Sequence, residues 1–481
     1  MTDRTSHRSI TERWVISATL EMETPAHFGN GDADPLTDMP LLLDEAEGRP
    51  LLPGTSIAGA LRNYLRERES GYGKAETNNS MTSLLFGSSR TSEDGKQSPL
   101  IIDDALGISA GFELRDGVAI DSETRTAADD KKFDMQLLAA GSTFALRFEL
   151  IVTKESQKLR DALLTALNGF ETGEITLGAR KRRGFGQCVV KTWKVVKFDL
   201  QTKEGLLNWL GYEQNLSKPN EQTGNDLASK LGASLQTEDK RSVAHLNAMF
   251  AINGTLMIRS GFGESGNSPD MVHIRSARAG HEKPVPVIPG TSLAGVLRQR
   301  ALKIARTISN NDKPVSQKFV DAMFGSSDIK QGDKHAKASR ISIRETEIKD
   351  PASLVVTRVK IDRFTGGAYE SALFSEQPEI GKPNTQSVEL DLTLRDPKDA
   401  ELGLLLLLLK DLWTGDLPIG GESSVGRGRL KGIDAELKMG QETWVFKANG
   451  NNLDVTPNTE QLENWVTAFN DEIKKAQVSH V

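Results

Sequence analysis

Leu52-Pro53-Gly54-Thr55-Ser56-Ile57-Ala58-Gly59-Ala60-Leu61-Arg62 returns later in the chain as Ile288-Pro289-Gly290-Thr291-Ser292-Leu293-Ala294-Gly295-Val296-Leu297-Arg298. The two stretches differ only by aliphatic exchanges, at Leu52/Ile288, Ile57/Leu293 and Ala60/Val296. An internal repeat of this quality decides the architecture before any single residue is read. Each copy reads as a strand end, a Pro-Gly turn and a helix start. Thr or Ser offers an N-cap oxygen, and apolar residues follow at helical spacing: Ile57, Leu61 and Leu65 in one copy, Leu293, Leu297 and Ala301 in the other. A glycine turn feeding a helix N-terminus leaves backbone N–H groups free to hold a phosphate. The same residues also make an ordinary strand-turn-helix corner.

The repeat extends well beyond this corner. Phe28-Gly29 matches Phe262-Gly263, 234 residues on, and Gly54 matches Gly290, 236 on. Phe86-Gly87-Ser88-Ser89 matches Phe324-Gly325-Ser326-Ser327 at 238, and Ile120-Asp121 matches Ile361-Asp362 at 241. Gly184-Phe185-Gly186 matches Gly426-Arg427-Gly428 at 242. A slowly growing offset is the mark of two copies separated by small loop insertions. Residues 10–198 and 245–435 are therefore read as two homologous domains, with 199–244 a connector and 436–481 an extension ending in a helix.

The bulk properties narrow the function classes. A chain of 481 residues has room for two cores. Its formal net charge of −6 means that any nucleic-acid site is a local basic surface on an acidic body. The single cysteine, Cys188, excludes a disulfide framework and fits a reducing cytoplasm. The polar start has no signal-peptide core, and the longest apolar run, Leu404–Leu409, is too short to span a bilayer. A cytoplasmic protein without membrane contact is expected.

Each copy opens with a strand, Trp14–Met22 or Met249–Ile258, followed by the corner and its helix. A long polar segment then leads to a second helix, marked by Leu159, Leu163, Leu164 and Leu167 or by the Leu404–Leu412 stretch. A glycine turn and a final strand close each copy, Gln187–Lys197 and Arg429–Leu437. This order predicts an α+β fold of two tandem ferredoxin-like, RRM-like domains, with helices on one sheet face and the other face open. The short amphipathic piece Glu204–Leu210 and the final helix, Thr459–Ala476, share Leu-x-Asn-Trp, which suggests one appended helix per domain.

The closing turn of copy one, Gly178-Ala179-Arg180-Lys181-Arg182-Arg183-Gly184-Phe185-Gly186, is the most basic local feature. Glycines let the main chain approach a phosphate backbone and cations replace its counterions. Copy two, Gly420-Gly421-Glu422-Ser423-Ser424-Val425-Gly426-Arg427-Gly428-Arg429, keeps the glycines with fewer cations. Aromatic residues are sparse, so base stacking on an open sheet face is not supported.

The ordered set of PGTS-x-x-G-x-x-R corner, FGSS element, Ile361-Asp362-Arg363-Phe364-Thr365-Gly366-Gly367-Ala368 and glycine turn resembles the RAMP superfamily of CRISPR-associated proteins. More narrowly it resembles a tandem backbone subunit of a type III, III-D-like effector complex. The resemblance implies a filament protein that grips a CRISPR RNA (crRNA) along a basic groove, binds single-stranded target RNA, and packs head-to-tail on other effector subunits. It implies RNA contacts at Gly54, Thr55, Ser56 and Arg62, at Arg180, Lys181, Arg182, Arg183, Gly184 and Gly186, and at Gly290, Thr291, Ser292 and Arg298. The second hairpin and turn add Arg363, Phe364, Gly426, Arg427, Gly428 and Arg429. Thumb-like hairpins around Ile120 and Ile361 would interrupt the guide–target duplex, with Phe364 as an apolar wedge.

The resemblance further implies cleavage of target RNA by a loop aspartate with Mg²⁺ or another divalent metal. The family pattern, Asp-x-Pro and then Asp, is similar to Asp38-Met39-Pro40-Leu41-Leu42-Leu43-Asp44, which makes Asp38 the catalytic and metal-binding carboxylate of copy one. Asp32 and Asp34 share its loop. Copy two reads Asp270-Met271-Val272-His273-Ile274-Arg275-Ser276, with Val272 in place of the proline and Ser276 in place of the second aspartate. Its candidate is Asp270. Two alternatives stand beside this endoribonuclease: a non-catalytic RNA-binding backbone, and a crRNA-processing RAMP endonuclease using a histidine such as His27 or His273.

Overall fold

The structure is a computed structural model describing residues 10–31, 37–77, 79–88, 97–121, 124, 126–153, 156–217, 219–260, 269–326, 336–382, 387–450 and 452–478. Asp32 and Asp34, Ser89, Ser122, Glu123, Arg125, Phe262-Gly263 and Ser327 lie outside the described residues.

The first sheet centres on Glu12–Met22, flanked antiparallel by Thr143–Val152 and Cys188–Asp199. Leu100–Ile102 adds outside Thr143–Val152. The second sheet repeats this plan. Val243–Asn253 lies between Val388–Arg395 and Arg429–Met439, with Ile341–Ile343 outside. In both copies the last strand of the repeat lies beside the first, so the order is fourth, first, third, second. The second copy's opening strand begins and ends earlier than the expected Met249–Ile258. Strict alternation of buried and half-buried residues along Val388–Arg395 puts one face of the sheet on the core.

The helices Gly54–Ser70 and Ser156–Glu171 bury one stripe each on the first sheet, with Ile57, Leu61, Tyr64 and Leu65 turned inward from the former. Gly290–Ile308 and Asp399–Trp413 do the same on the second. Asp399–Trp413 is apolar nearly all round because the terminal helix Glu460–Val478 covers its outer side, burying Trp465, Phe469 and Ile473. Gly403 permits this contact, since a Cβ there would stand 2.1 Å from the Trp465 carbonyl oxygen. The connector helix Lys203–Tyr212 instead sits on the opposite face of the first sheet, where Trp209 packs under Arg13 near Val15 and Phe198. The shared Leu-x-Asn-Trp therefore does not mark equivalent helices: one tryptophan belongs to a main core and the other to an outer layer.

The corners differ from expectation in one respect. Neither Thr55/Ser56 nor Thr291/Ser292 supplies a cap. Pro53 and Pro289 occupy the N-cap positions in extended conformation, without a side-chain cap bond, and each helix starts at the glycine. Glycine is needed there by contact: a Cβ on Gly54 would lie 2.4 Å from the Ile102 carbonyl oxygen, and one on Gly290 2.5 Å from that of Ile343. The long polar segment also holds short helices, Met81–Phe86 and Lys313–Phe324, capped by Ser80 and Asp312 and ended by the glycine of each FGSS element. Arg62 and Arg298 tie these elements to the corner helices. Arg62 donates to Glu76 and to the Gly87 carbonyl oxygen; Arg298 donates to Asp321 and to the Gly325 carbonyl oxygen.

The two copies meet through a buried ionic knot. Glu345, fully buried, accepts from Arg115 at 3.1 and 3.3 Å and from Arg278 at 2.5 Å. Arg115 also pairs with Glu113, which accepts from the Ala277 N–H at 2.7 Å. Burial alone would raise the Glu345 carboxyl, but Arg115 and Arg278 outweigh it and hold the group below its usual range. Beside the knot, the first glycine turn presses on the second corner: a Cβ on Gly290 would also meet the Arg183 carbonyl oxygen at 2.3 Å. Removing one member of such a knot strands the others in a dry seam. Glu345→Ala is expected to cost about 3–5 kcal/mol, read as a lower urea midpoint on full-chain denaturation.

Candidate nucleic-acid interface and loop aspartates

Two hairpins stand off the sheets. Phe112–Ile120 pairs with Ala127–Leu138, and Val356–Ile361 with Ala368–Gln377. Each has a register shift at the same place, between Val118 and Ile120 and between Val359 and Ile361. Phe364 sits at the tip of the second, 99% exposed, and Arg363 adjoins it. Asp362 accepts from the Phe364 and Thr365 N–H groups and shapes that tip.

Both loop aspartates lie at hairpin bases in the same setting. Asp38 Oδ2 accepts from the Asp134 N–H at 2.9 Å, and Met39 pairs in parallel with Met135. Asp270 Oδ2 accepts from the Ser375 N–H at 2.7 Å, and Met271 pairs in parallel with Glu376. Asp38 is exposed, and the Ser375 amide and hydroxyl hold the Asp270 carboxyl below its usual range. The Asp134-to-Ser375 offset of 241 equals that of the hairpins, so Asp38 and Asp270 are structural equivalents. The same register aligns Leu41 with His273.

It also revises an earlier match. Gly29 bridges Leu41 while Arg259 bridges His273, so Gly29 corresponds to Arg259 rather than to Gly263. The carbonyls of His27 and Met257, accepting from Ala179 and Gly421, give the same offset. Pairing sets the register here, and the shared Phe-Gly does not.

The closing turns superimpose residue for residue. Arg180 and Glu422 both adopt left-handed backbone, and Lys181–Arg183 matches Ser423–Val425 as a single 3₁₀ turn. Gly186 and Gly428 have φ of 73° and 80°, and a Cβ on either would strike a carbonyl oxygen at about 2 Å. The first turn, with Arg298 and Arg395 nearby, is a cation cluster; none of Arg180, Lys181, Arg182 or Arg183 forms an ion pair among the described residues. Burial, and for Lys181, Arg182 and Arg183 also neighbouring cations, pulls all four below their usual values. Arg182 donates to the Ser339 carbonyl oxygen and the Arg183 Nη1 is buried without a partner. In the second turn Arg427 is buried between Glu376 and Glu422, while Arg429 is exposed.

A groove of about 1940 Å³ runs between the first hairpin and the Gly290–Ile308 helix. Nine cationic side chains line it against four acidic ones, which gives the acidic protein a basic channel. Thr291, Ser292, Arg298 and Arg180 take part; Lys181, Arg182 and Arg183 sit at the seam beside it. Arg115, Lys131, Lys132, Lys303 and Arg306 also line it and went unmarked in the sequence, where they read as ordinary surface charges. On the first domain's own corner Thr55 and Ser56 are exposed. Asp38 and Asp270 border the hairpin bases rather than line the groove.

The hairpin bases differ chemically. In copy one Met39, Phe133, Met135 and Phe185 form a small apolar cluster, with Arg180 stacked 4.3 Å over Phe133. In copy two Glu376, Arg427 and Glu422 stand at the positions of Met135, Phe185 and Arg180, and Arg358 and Arg259 join them in a network of ion pairs. Asp116 and Asp134 face each other across the first hairpin, and burial together with the Asp134 hydrogen bond raises the Asp116 carboxyl.

These paired domains, with hairpins and a cationic groove between them, define an α+β protein built from two copies of one domain. The family model of the RAMP superfamily matches residues 19–189 and 268–431. The chain belongs to the RAMP superfamily, with two copies of its domain. It is also 26% identical over 212 residues to a Streptococcus thermophilus protein named CRISPR system Cms endoribonuclease Csm3. That match spans 95% of the relative and 40% of this chain, so the relative has the length of one repeat. No described helix is long and apolar enough to cross a membrane.

The two candidate histidines, His27 and His273, are core residues. His27 is buried and bonds the Gln136 carbonyl oxygen. His273 is 1% exposed, accepts from the Ile258 N–H and faces the Val287 carbonyl oxygen; burial pushes it down to about 4. A folded value below the unfolded one near 6.5 means stability present above pH 6.5 and lost as pH falls toward 4. About 3 kcal/mol is involved. His273→Leu, copying Leu41, is expected to flatten that part of the stability–pH profile, measured by urea denaturation between pH 4 and pH 7.

Proposed function

We propose that this chain is a tandem backbone subunit of a type III CRISPR effector. Its two ferredoxin-like domains would hold crRNA along the cationic groove, and their thumb-like hairpins would separate segments of a guide–target duplex. The observation that carries this reading is the equivalence of Asp38 and Asp270. Two copies with different surroundings keep a carboxylate at the same hairpin base, held by the same strand amide. The name of the Streptococcus thermophilus relative calls that protein an endoribonuclease, and cleavage of target RNA is the activity such sites support here.

A divalent metal fits this setting in a limited way. Among the described residues no group of three or more His, Cys, Asp or Glu is placed to hold one. A single carboxylate suits Mg²⁺, which retains waters and takes its other oxygens from substrate phosphate. Asp38 would be the ligand in copy one and Asp270 in copy two, and the bound ion would neutralise charge at the phosphate. The chain's own contribution is placement: the Asp134 and Ser375 amides fix the carboxylates, and the groove cations fix the RNA backbone. The non-catalytic backbone reading has one observation in its favour, that each aspartate already serves as a strand cap. With His27 and His273 buried, a histidine-based processing enzyme has no supporting observation.

The assembled complex with Asp38→Ala, Asp270→Ala or both tests the reading. Each single substitution is expected to remove one discrete cut in target RNA while guide binding persists. Unchanged cutting by the double variant would overturn the assignment. Separately, Arg180, Lys181, Arg182 and Arg183 changed together to Gln are expected to weaken RNA binding. The salt dependence should flatten by about 0.7 in log–log slope for each lost phosphate contact. An unchanged slope would mean that the turn serves only the domain seam.

A further inference from the structure

The seam between the two domains is a template for what each free end of the chain accepts. In the seam, the donor side is the first hairpin base and first glycine turn: Glu113, Arg115 and Arg183. The acceptor side is the second corner: Ser276, Ala277, Arg278 and Glu345. Each side has an equivalent on the other domain that, among the described residues, no second seam covers.

The free donor is on the second domain. The shared hairpin register places Leu354 and Val356 where the first domain has Glu113 and Arg115, and the turn register places Val425 where it has Arg183. Leu354 is 56% exposed, Val355 51% and Val425 60%. A Cβ on Gly426 would meet nothing within 4 Å, whereas one on its equivalent, Gly184, would strike the Glu345 N–H nitrogen at 2.3 Å. The donor surface that is ionic and covered in copy one is thus aliphatic and bare in copy two.

The free acceptor is on the first domain, and it is acidic. Leu43 bridges Pro50 as Arg275 pairs with Pro286, so Asp44, Glu45 and Ala46 stand where Ser276, Ala277 and Arg278 do. Asp104 stands at the Glu345 position, its Oδ1 accepting from the Gly54 N–H at 2.6 Å. Glu45 and Asp104 are exposed, and no arginine occupies the Arg278 position. Docking the second domain's donor on this corner would bury carboxylates against Leu354, Val356 and Val425 with no arginine at the Arg115 or Arg278 positions to pair them.

We infer that the free end of the second domain docks a different protein subunit, one whose corner is aliphatic at the positions of Glu45 and Asp104, and that a second copy of this chain is excluded by charge. Continuity with the existing seam sets the docking geometry, and the mismatch of charge and aliphatic surface sets the partner. The inference rests on the seam alone and does not depend on RNA cleavage.

Light scattering on the nuclease-treated full chain tests it over a wide concentration range. The unaltered chain is expected to hold its single-chain mass of 52.5 kDa. Glu45→Leu with Asp104→Leu supplies an aliphatic corner and is expected to raise the mass at least about twofold by head-to-tail association. Adding Leu354→Glu should return it to the single-chain value. Should that variant fail to fold, Val356→Arg with Val425→Arg rebuilds the ionic donor against the native acidic corner. It should associate in a salt-sensitive way that Asp104→Asn abolishes. Self-association of the unaltered chain that Leu354→Glu abolishes overturns the inference. So does a folded aliphatic-corner variant, or a folded arginine variant, that stays at single-chain mass.

Discussion

Glu345 between Arg115 and Arg278 is the contact on which the rest of the molecule depends. A carboxylate with no solvent exposure tolerates neither a shift of its partners nor their loss. It therefore fixes the first hairpin and first glycine turn against the second corner at one distance. That placement makes the groove. Its floor is the Gly290–Ile308 helix of one domain and its wall is the hairpin of the other, so neither repeat alone encloses it. The two homologous units work as one surface because their junction is ionic, directional and dry.

Duplication has left the two hairpin bases with the same backbone and opposite chemistry. Met135 and Phe185 pack apolar surface beneath Asp38; Glu376 and Arg427 pair beneath Asp270. Both solutions hold the second hairpin strand against the closing turn, one by burial of apolar area and one by hydrogen-bonded charge. The aspartates keep their strand amides through this change. The surroundings that set local potential do not stay the same, so the two sites share geometry and differ in electrostatic setting.

The repeat was legible because residues such as Gly54 and Gly290 answer to a close backbone approach that no other residue permits. The helical faces were legible from spacing, and the basic turn from four adjacent cations. Other features were not. Met81–Phe86 is too short for a periodic signal. The Thr and Ser after Pro-Gly look like caps, but the proline already holds the N-cap conformation. Phe262-Gly263 resembles Phe28-Gly29 by composition, while hydrogen-bonded pairing puts Arg259 at the position equivalent to Gly29. Arg62 and Arg298 read as phosphate ligands, and folding also engages them as clamps on the FGSS carbonyls.

Local chemistry within short stretches was enough to determine two copies of an α+β domain, their corners, their glycine turns and the loop aspartates. Each of these is written in residues that are neighbours in the chain. Tertiary structure alone decided which charges face one another. Arg115 and Glu345 are 230 positions apart, and each reads in isolation as a solvated surface residue. Only packing removes the water between them, and only then does their pairing acquire the strength to join two domains into a single groove.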